Sequence, residues 1–172
     1  LIRSRGLGDV YKRQVEGDVC YLALVERHRG TGVVVNGFVS GFGYTGSMAI
    51  SSSVAHDSHH MIVVGTNQKM MADAANRLGE VGGGVSVWKD GAEVALVELP
   101  IAGLMSDSKA SEVAVKAQAI VSAMIDCGCT LNNAYMQHTL LALVVIPELR
   151  ISDLGLVDVT RFELTDVISQ KP

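Results

Sequence analysis

MIVVGTNQKMMADAANRLGEVGGG, residues 61–84, holds a strand, a helix and their punctuation in one run. Met61–Gly65 is short, apolar and closed by glycine, which reads as a buried strand. Thr66 or Asn67 offers a side-chain oxygen to cap a helix start. Met71, Ala74, Ala75 and Leu78 then recur at helical spacing, forming one apolar face. Gly82–Gly84 stop the helix, since glycine takes a left-handed turn at little cost. Beyond the stop, Val85–Lys89 and Glu93–Leu99 flank Asp90-Gly91. That dipeptide between apolar runs signals a hairpin, because both turn positions need positive φ.

Working outward, Cys20–Glu26 and Met48–Ser53 read as strands. Val33–Val35 and Phe38–Ser40 read as short strands within the glycine-rich stretch Gly30–Gly46. Gly41-Phe42-Gly43 and Gly46 match a dinucleotide-loop spacing formally, but the motif must open a helix and an extended segment follows here. Tight turns are the use expected of these glycines. Downstream, Ser106-Asp107-Ser108 is a capping cluster for a second helix. Its apolar face is Val113, Ala117, Ile120, Val121 and Met124, and Gly128 stops it. Asn132–Val145 fits helix or strand, and Phe162–Ile168 reads as a closing strand. The order predicts an α+β fold, a single domain with a mixed β-sheet and packed helices.

Composition narrows the function classes. The 172 residues suffice for one domain with a sizeable core and not for two. Apolar residues make up 48% and charged residues 19%, the opposite of a disordered chain. A net charge of −4 without a basic stripe points away from nucleic acid. The longest apolar run, Leu140–Pro147, is about half a membrane span. Cys20, Cys127 and Cys129 are too few for a disulfide framework, and no second Cys pair completes a zinc site. They read as buried or idle thiols of a cytoplasmic protein.

Leu1–Gln14, LIRSRGLGDVYKRQ, differs from the rest. It carries Arg3, Arg5, Lys12 and Arg13 against Asp9, without apolar periodicity or the apolar core of a signal peptide. One codon choice for Asp9–Gln14 is GAT GTG TAT AAG AGA CAG, which resembles the end of a transposase adapter. Residues 1–14 are therefore expected to be non-native, the alternative being a natural basic tail, with the domain spanning 15–172.

The densest chemistry lies in SSSVAHDSHH, residues 51–60, between two predicted strands, and it is expected to form a loop at a sheet edge. Imidazole titrates near neutral pH and also binds metals. Three readings stand: a metal site of His56, His59 and His60; an acid–base or substrate-orienting loop with Asp57 fixing an imidazole tautomer; and a solvated connection. His28 is either surface or a partner of this loop in space. His138 lies in an apolar segment and reads as a core histidine.

Several stretches together resemble the C-terminal domain of bacterial adenine deaminases of the amidohydrolase superfamily. They are Val25-Glu26-Arg27-His28, GFVSGFG at 37–43, SSVAHDSHHMIVVGTN at 52–67, NRLGEVGGG at 76–84, LPIAGLMSD at 99–107 and VIPELRISDLGLVDV at 145–159. The resemblance covers nearly everything from Val15 onward. It departs at His60, where the family pattern usually has Asn. It implies an enzyme that hydrolyses adenine to hypoxanthine and ammonia, with a metal-activated hydroxide attacking purine C6. It places the metal ligands, for manganese or iron, on a preceding (β/α)8 barrel, which needs roughly 250 residues. On that reading this domain holds no metal and is inactive alone. Its partners are its own barrel, the purine and a second copy of the protein, with neither nucleic acid nor membrane. His56, Asp57 and His59 are then the catalytic candidates, and Ser53 and Ser58 the substrate-binding ones, on a loop facing the barrel mouth. The alternatives are a non-catalytic interaction or oligomerisation domain and a free-standing small-ligand binder.

Overall fold

The computed structural model describes residues 18–168. The segment 1–14 lies outside them. The elements run β1 (Val19–Val25), β2 (Val34–Ser40), β3 (Met48–Ser52), β4 (Met61–Gly65), α1 (Gln68–Val81), β5 (Gly84–Lys89) and β6 (Ala92–Glu98). Then come α2 (Ala110–Asp126), α3 (Ala134–Thr139), a 3-10 turn (Leu140–Ala142), β7 (Leu149–Ser152), β8 (Gly155–Asp158) and β9 (Glu163–Thr165).

The stretch 61–84 folds as its pattern dictates. Ile62 and Val64 point to one side of the sheet, Met61 and Val63 to the other, following the period of two. Asn67 caps α1 through its side chain, accepting from Met70 N at 3.1 Å. Gly82, at φ 83°, closes α1 in the left-handed conformation. Met70, Met71, Ala74 and Leu78 are the buried face. They pack on Tyr21, Ala23, Ala49 and Val63, forming a core on one side of the sheet. The other side carries the larger core, where Leu22, Leu24, Ile50 and Val87 meet Ile120, Ala123 and Met124 of α2.

The main sheet has the order β2-β1-β4-β3-β5-β6. The α+β class and packed helices agree with expectation, but every pairing is antiparallel rather than mixed. The cause is where α1 returns the chain. It carries β5 back parallel to β4, yet β3 lies between them, so no parallel pair forms. A second sheet, β7-β8-β9, packs by Leu156 and Ile151 against the larger core beside β2. The closing strand thus belongs to this sheet and covers only Glu163–Thr165. Strands of three or four residues are too short to show alternation in a sequence.

Two helix expectations also change. The start of α2 has Lys109 as its cap, with no side-chain bond, while Ser106 instead binds the Ser108 amide. Glu112 in the first turn complements the helix dipole. Ala117 and Val121 sit on the exposed side of α2, and Ala123 replaces them inside. The ambiguous segment after Asn132 resolves as α3 and the 3-10 turn. His138 is fully buried with neither ring nitrogen bonded among the described residues, and burial pushes it down to about 3. It therefore packs as a neutral core ring, edge-on to Phe42. The three cysteines are free and buried. Among the described residues no helix is long and apolar enough to cross a membrane.

Candidate functional site

Four connections meet at one end of the six-stranded sheet, as the registers require. Val25 pairs with Met61, Ser52 with Val85, and Gly84 with Glu98. Residues 26–33, 53–60, the 82–84 turn and the segment after β6 therefore emerge side by side. The histidine loop joins two inner strands at the sheet's end, not at its lateral edge.

Ser53, a candidate substrate contact, is fully buried at the base of the loop. Its Oγ accepts from Gly84 N at 2.7 Å and donates to Gly103 O at 2.7 Å. Its amide donates to Gly84 O at 2.9 Å. The hydroxyl is thus engaged with two neighbouring connections, and Ser53 anchors the loop.

Arg27 grips the loop from the β1–β2 connection. Its Nε donates to His59 O at 2.6 Å and its Nη2 to Ala102 O at 2.8 Å. A Cβ on Gly103 would come within 2.8 Å of the Arg27 guanidinium, and Gly103 holds φ 74°, a left-handed conformation that favours glycine. His28 joins the loop, its Nε2–H donating to Ser58 O at 2.6 Å.

Glu26 organises this connection from within. Its buried carboxylate accepts from the His28 and Arg29 amides at 2.6 and 2.7 Å and from Thr31 N and Oγ1 at 3.0 and 2.8 Å. The Thr31 amide foremost, with the Arg29 amide, the Thr31 hydroxyl and the His28 amide, holds it down to about 2 against the opposing effect of burial. A carboxyl depressed in the fold stabilises above its ordinary value of 4.5 and loses that contribution as pH falls toward about 2. Urea midpoints measured from pH 5 to 2.5 should fall more steeply for the wild type than for Glu26→Gln. Equal slopes would contradict the role given to Glu26.

His60 is buried between Glu26 and Asp153, 4.0 Å from the first and 3.8 Å from the second. Its ring lies 4.7 Å from that of His28. Burial pushes its pKa down while Asp153 opposes. His60 is thus separated in role from His56 and His59, whose rings meet edge to face at 5.3 Å. Among the described residues no three His, Cys, Asp or Glu side chains are placed to hold a metal. The trio His56, His59 and His60 does not form a metal site.

The outer part of the loop has a different character. His56 and His59 are half-buried, and Asp57 and Ser58 are exposed. The Asp57 carboxylate and Ser58 hydroxyl take no hydrogen bond among the described residues. The loop thus has a bonded base and a rim whose backbone is held by Arg27 and His28, while the Asp57 carboxylate, the Ser58 hydroxyl, the His56 ring and His59 Nε2 take no hydrogen bond among the described residues. Such a rim can donate, accept or transfer protons. The rim is legible in the sequence but not its supports, Glu26, Arg27, Gly103 and Asp153, which lie far apart along the chain. The only local signal was Glu26-Arg27-His28 at the end of a strand.

Residues 5–163 match the family model described as adenine deaminase C-terminal domain. The chain is similar to a protein named adenine deaminase from Paracoccus denitrificans, 74% identical over 153 residues, 89% of this chain and 26% of that protein. A protein of the same name from Ruegeria pomeroyi is 75% identical over 151 residues, 88% of this chain and 25% of that protein. One from Moorella thermoacetica is 46% identical over 155 residues, 90% and 26% respectively. The chain spans about a quarter of the length of these curated relatives.

Proposed function

Since this chain belongs to the adenine deaminase C-terminal domain family, we propose that it is part of an enzyme hydrolysing adenine to hypoxanthine and ammonia, and that its loop 53–60 completes the purine site. The observation that supports this is the contrast within the loop. Ser53 and the His59 carbonyl bond the loop into three other connections, while the side chains of Asp57 and Ser58 remain unengaged among the described residues. Rigid support beneath unspent polar groups is what a positioned binding or catalytic segment needs.

In this reading His56, Asp57, Ser58 and His59 face the mouth of a preceding barrel. They exclude water, contact the purine edge and handle protons, while Ser53 holds the base. On this reading the manganese or iron of the reaction belongs to that barrel. The enzyme works in the cytoplasm as a homo-oligomer.

The test joins the two parts. The 172-residue chain with Mn2+ or Fe2+ should release no ammonia from adenine. A chimera carrying residues 18–168 in place of the matching quarter of the Ruegeria pomeroyi relative should do so. Activity of the chain alone, or a folded but inactive chimera, would overturn the proposal.

A second reading, a non-catalytic interaction domain, is favoured by the outer side of α2. Val115 is 72% exposed and Ile125 60%, on a helix whose inner side is already apolar. It expects a tolerant loop and an intolerant α2 surface.

A further inference from the structure

His59 sits in a conformation that non-glycine residues seldom adopt, with φ 53°. Strain of this kind persists only where the surroundings impose it. Here they do so from three sides. The His59 amide donates to Ala55 O at 2.7 Å, and the Ala55 amide donates back to His59 Nδ1 at 3.3 Å. Arg27 Nε holds the His59 carbonyl at 2.6 Å. The His56 ring stands edge to face against the His59 ring, the planes 67° apart.

The bond to Nδ1 decides the chemistry of the side chain. A neutral imidazole has one N–H donor and one bare acceptor nitrogen. An amide N–H can only donate, so Nδ1 is the acceptor and the proton resides on Nε2. Nε2 takes no hydrogen bond among the described residues. His59 therefore offers an outside molecule a donor and nothing else.

We propose that His59 is a specificity-determining residue, donating a hydrogen bond from Nε2–H to an unprotonated ring nitrogen of the purine. This rests on the loop facing the purine site. Burial, the neighbouring His56 and Arg27 all favour the neutral ring, against the single opposing effect of Asp57. Adenine suits such a donor, because its pyridine-type ring nitrogens are bare acceptors. A site built to donate rejects a ligand lacking the acceptor, since its buried donor is left unpaired. Arg27 is then a positioning residue, acting through the His59 carbonyl.

Two measurements test this. In the 15N-labelled 172-residue chain, imidazole nitrogen couplings should show His59 as the Nε2–H tautomer between pH 6 and 8. An Nδ1–H tautomer would overturn the proposal. In the chimera, 1-, 3- and 7-deazaadenine are assayed as competitors of adenine for wild type, His59→Ala and His59→Gln. His59→Ala should weaken two of the three by roughly tenfold, the order expected of one lost hydrogen bond. It should leave unchanged the analogue that already lacks the contacted nitrogen, as a double-mutant cycle requires. His59→Gln retains an N–H donor and should stay within about threefold of wild type. Equal weakening of all three analogues overturns the donor role alone, provided His56→Ala and Asp57→Ala impair turnover. No effect of His59→Ala together with unimpaired turnover in those two variants removes the loop from the site altogether.

Discussion

Replacing His56 or Asp57 by alanine in the chimera is expected to lower kcat/KM for adenine by about a hundredfold or more, the scale of a lost acid–base or orienting group. Thermal stability should barely move, within about 0.5 kcal/mol, because Asp57 is exposed and His56 half-buried, with no side-chain hydrogen bond on either among the described residues. That dissociation is informative. A residue that merely holds the fold loses activity only as it loses stability. A group facing substrate loses activity alone. Unchanged kcat/KM in both variants would leave the interaction-domain reading standing, with the exposed side of α2 as its surface.

The second large effect is on the scaffold beneath the loop. Gly84→Ala should destabilise the domain by about 4 kcal/mol, in the range reserved for strain that cannot relax. An added Cβ would stand 2.0 Å from Val97 O and 3.2 Å from Glu98 Cα, both backbone of the paired strand β6. The position also holds φ 142°, which side chains resist. The same residue donates its amide to Ser53 Oγ, so its displacement pulls on the base of the loop. Against a total stability of about 5–15 kcal/mol, a loss of this size lowers the thermal midpoint by roughly 10 °C. Gly79→Ala is the matched control. Gly79 lies inside α1 with open space around its missing Cβ, so alanine there should stabilise by up to about 1 kcal/mol. A Gly84→Ala protein as stable as wild type would contradict the tight packing of β5 on β6.

What the sequence reveals depends on the range of each interaction. Met61–Val81 is local: an apolar run, a cap and a helical period sit within a few residues of one another, and all appear in the structure. The Asp90-Gly91 hairpin is local in the same way. Sheet order is not local. That β3 inserts between β4 and β5 depends on the packing of the whole chain, and a strand–helix–strand pattern carries no mark of it. The β7–β9 sheet consists of strands too short to show a period. The site divides similarly. The rim, His56-Asp57-Ser58-His59, is contiguous and visible as a dense polar cluster. Its support is assembled across the fold: Arg27 reaches Ala102, and His60 reaches Asp153. By sequence Ser53 reads as a rim residue, a hydroxyl beside histidines. Only the fold shows that its oxygen is engaged with Gly84 and Gly103.

The position of the loop relative to the purine is open to direct observation. A crystal structure of the chimera with adenine bound should place the 55–59 segment over the ligand, with His59 Nε2 at about 3 Å from a purine ring nitrogen. A bound adenine enclosed without this loop, with residues 55–59 facing solvent or another subunit, would contradict the proposed function.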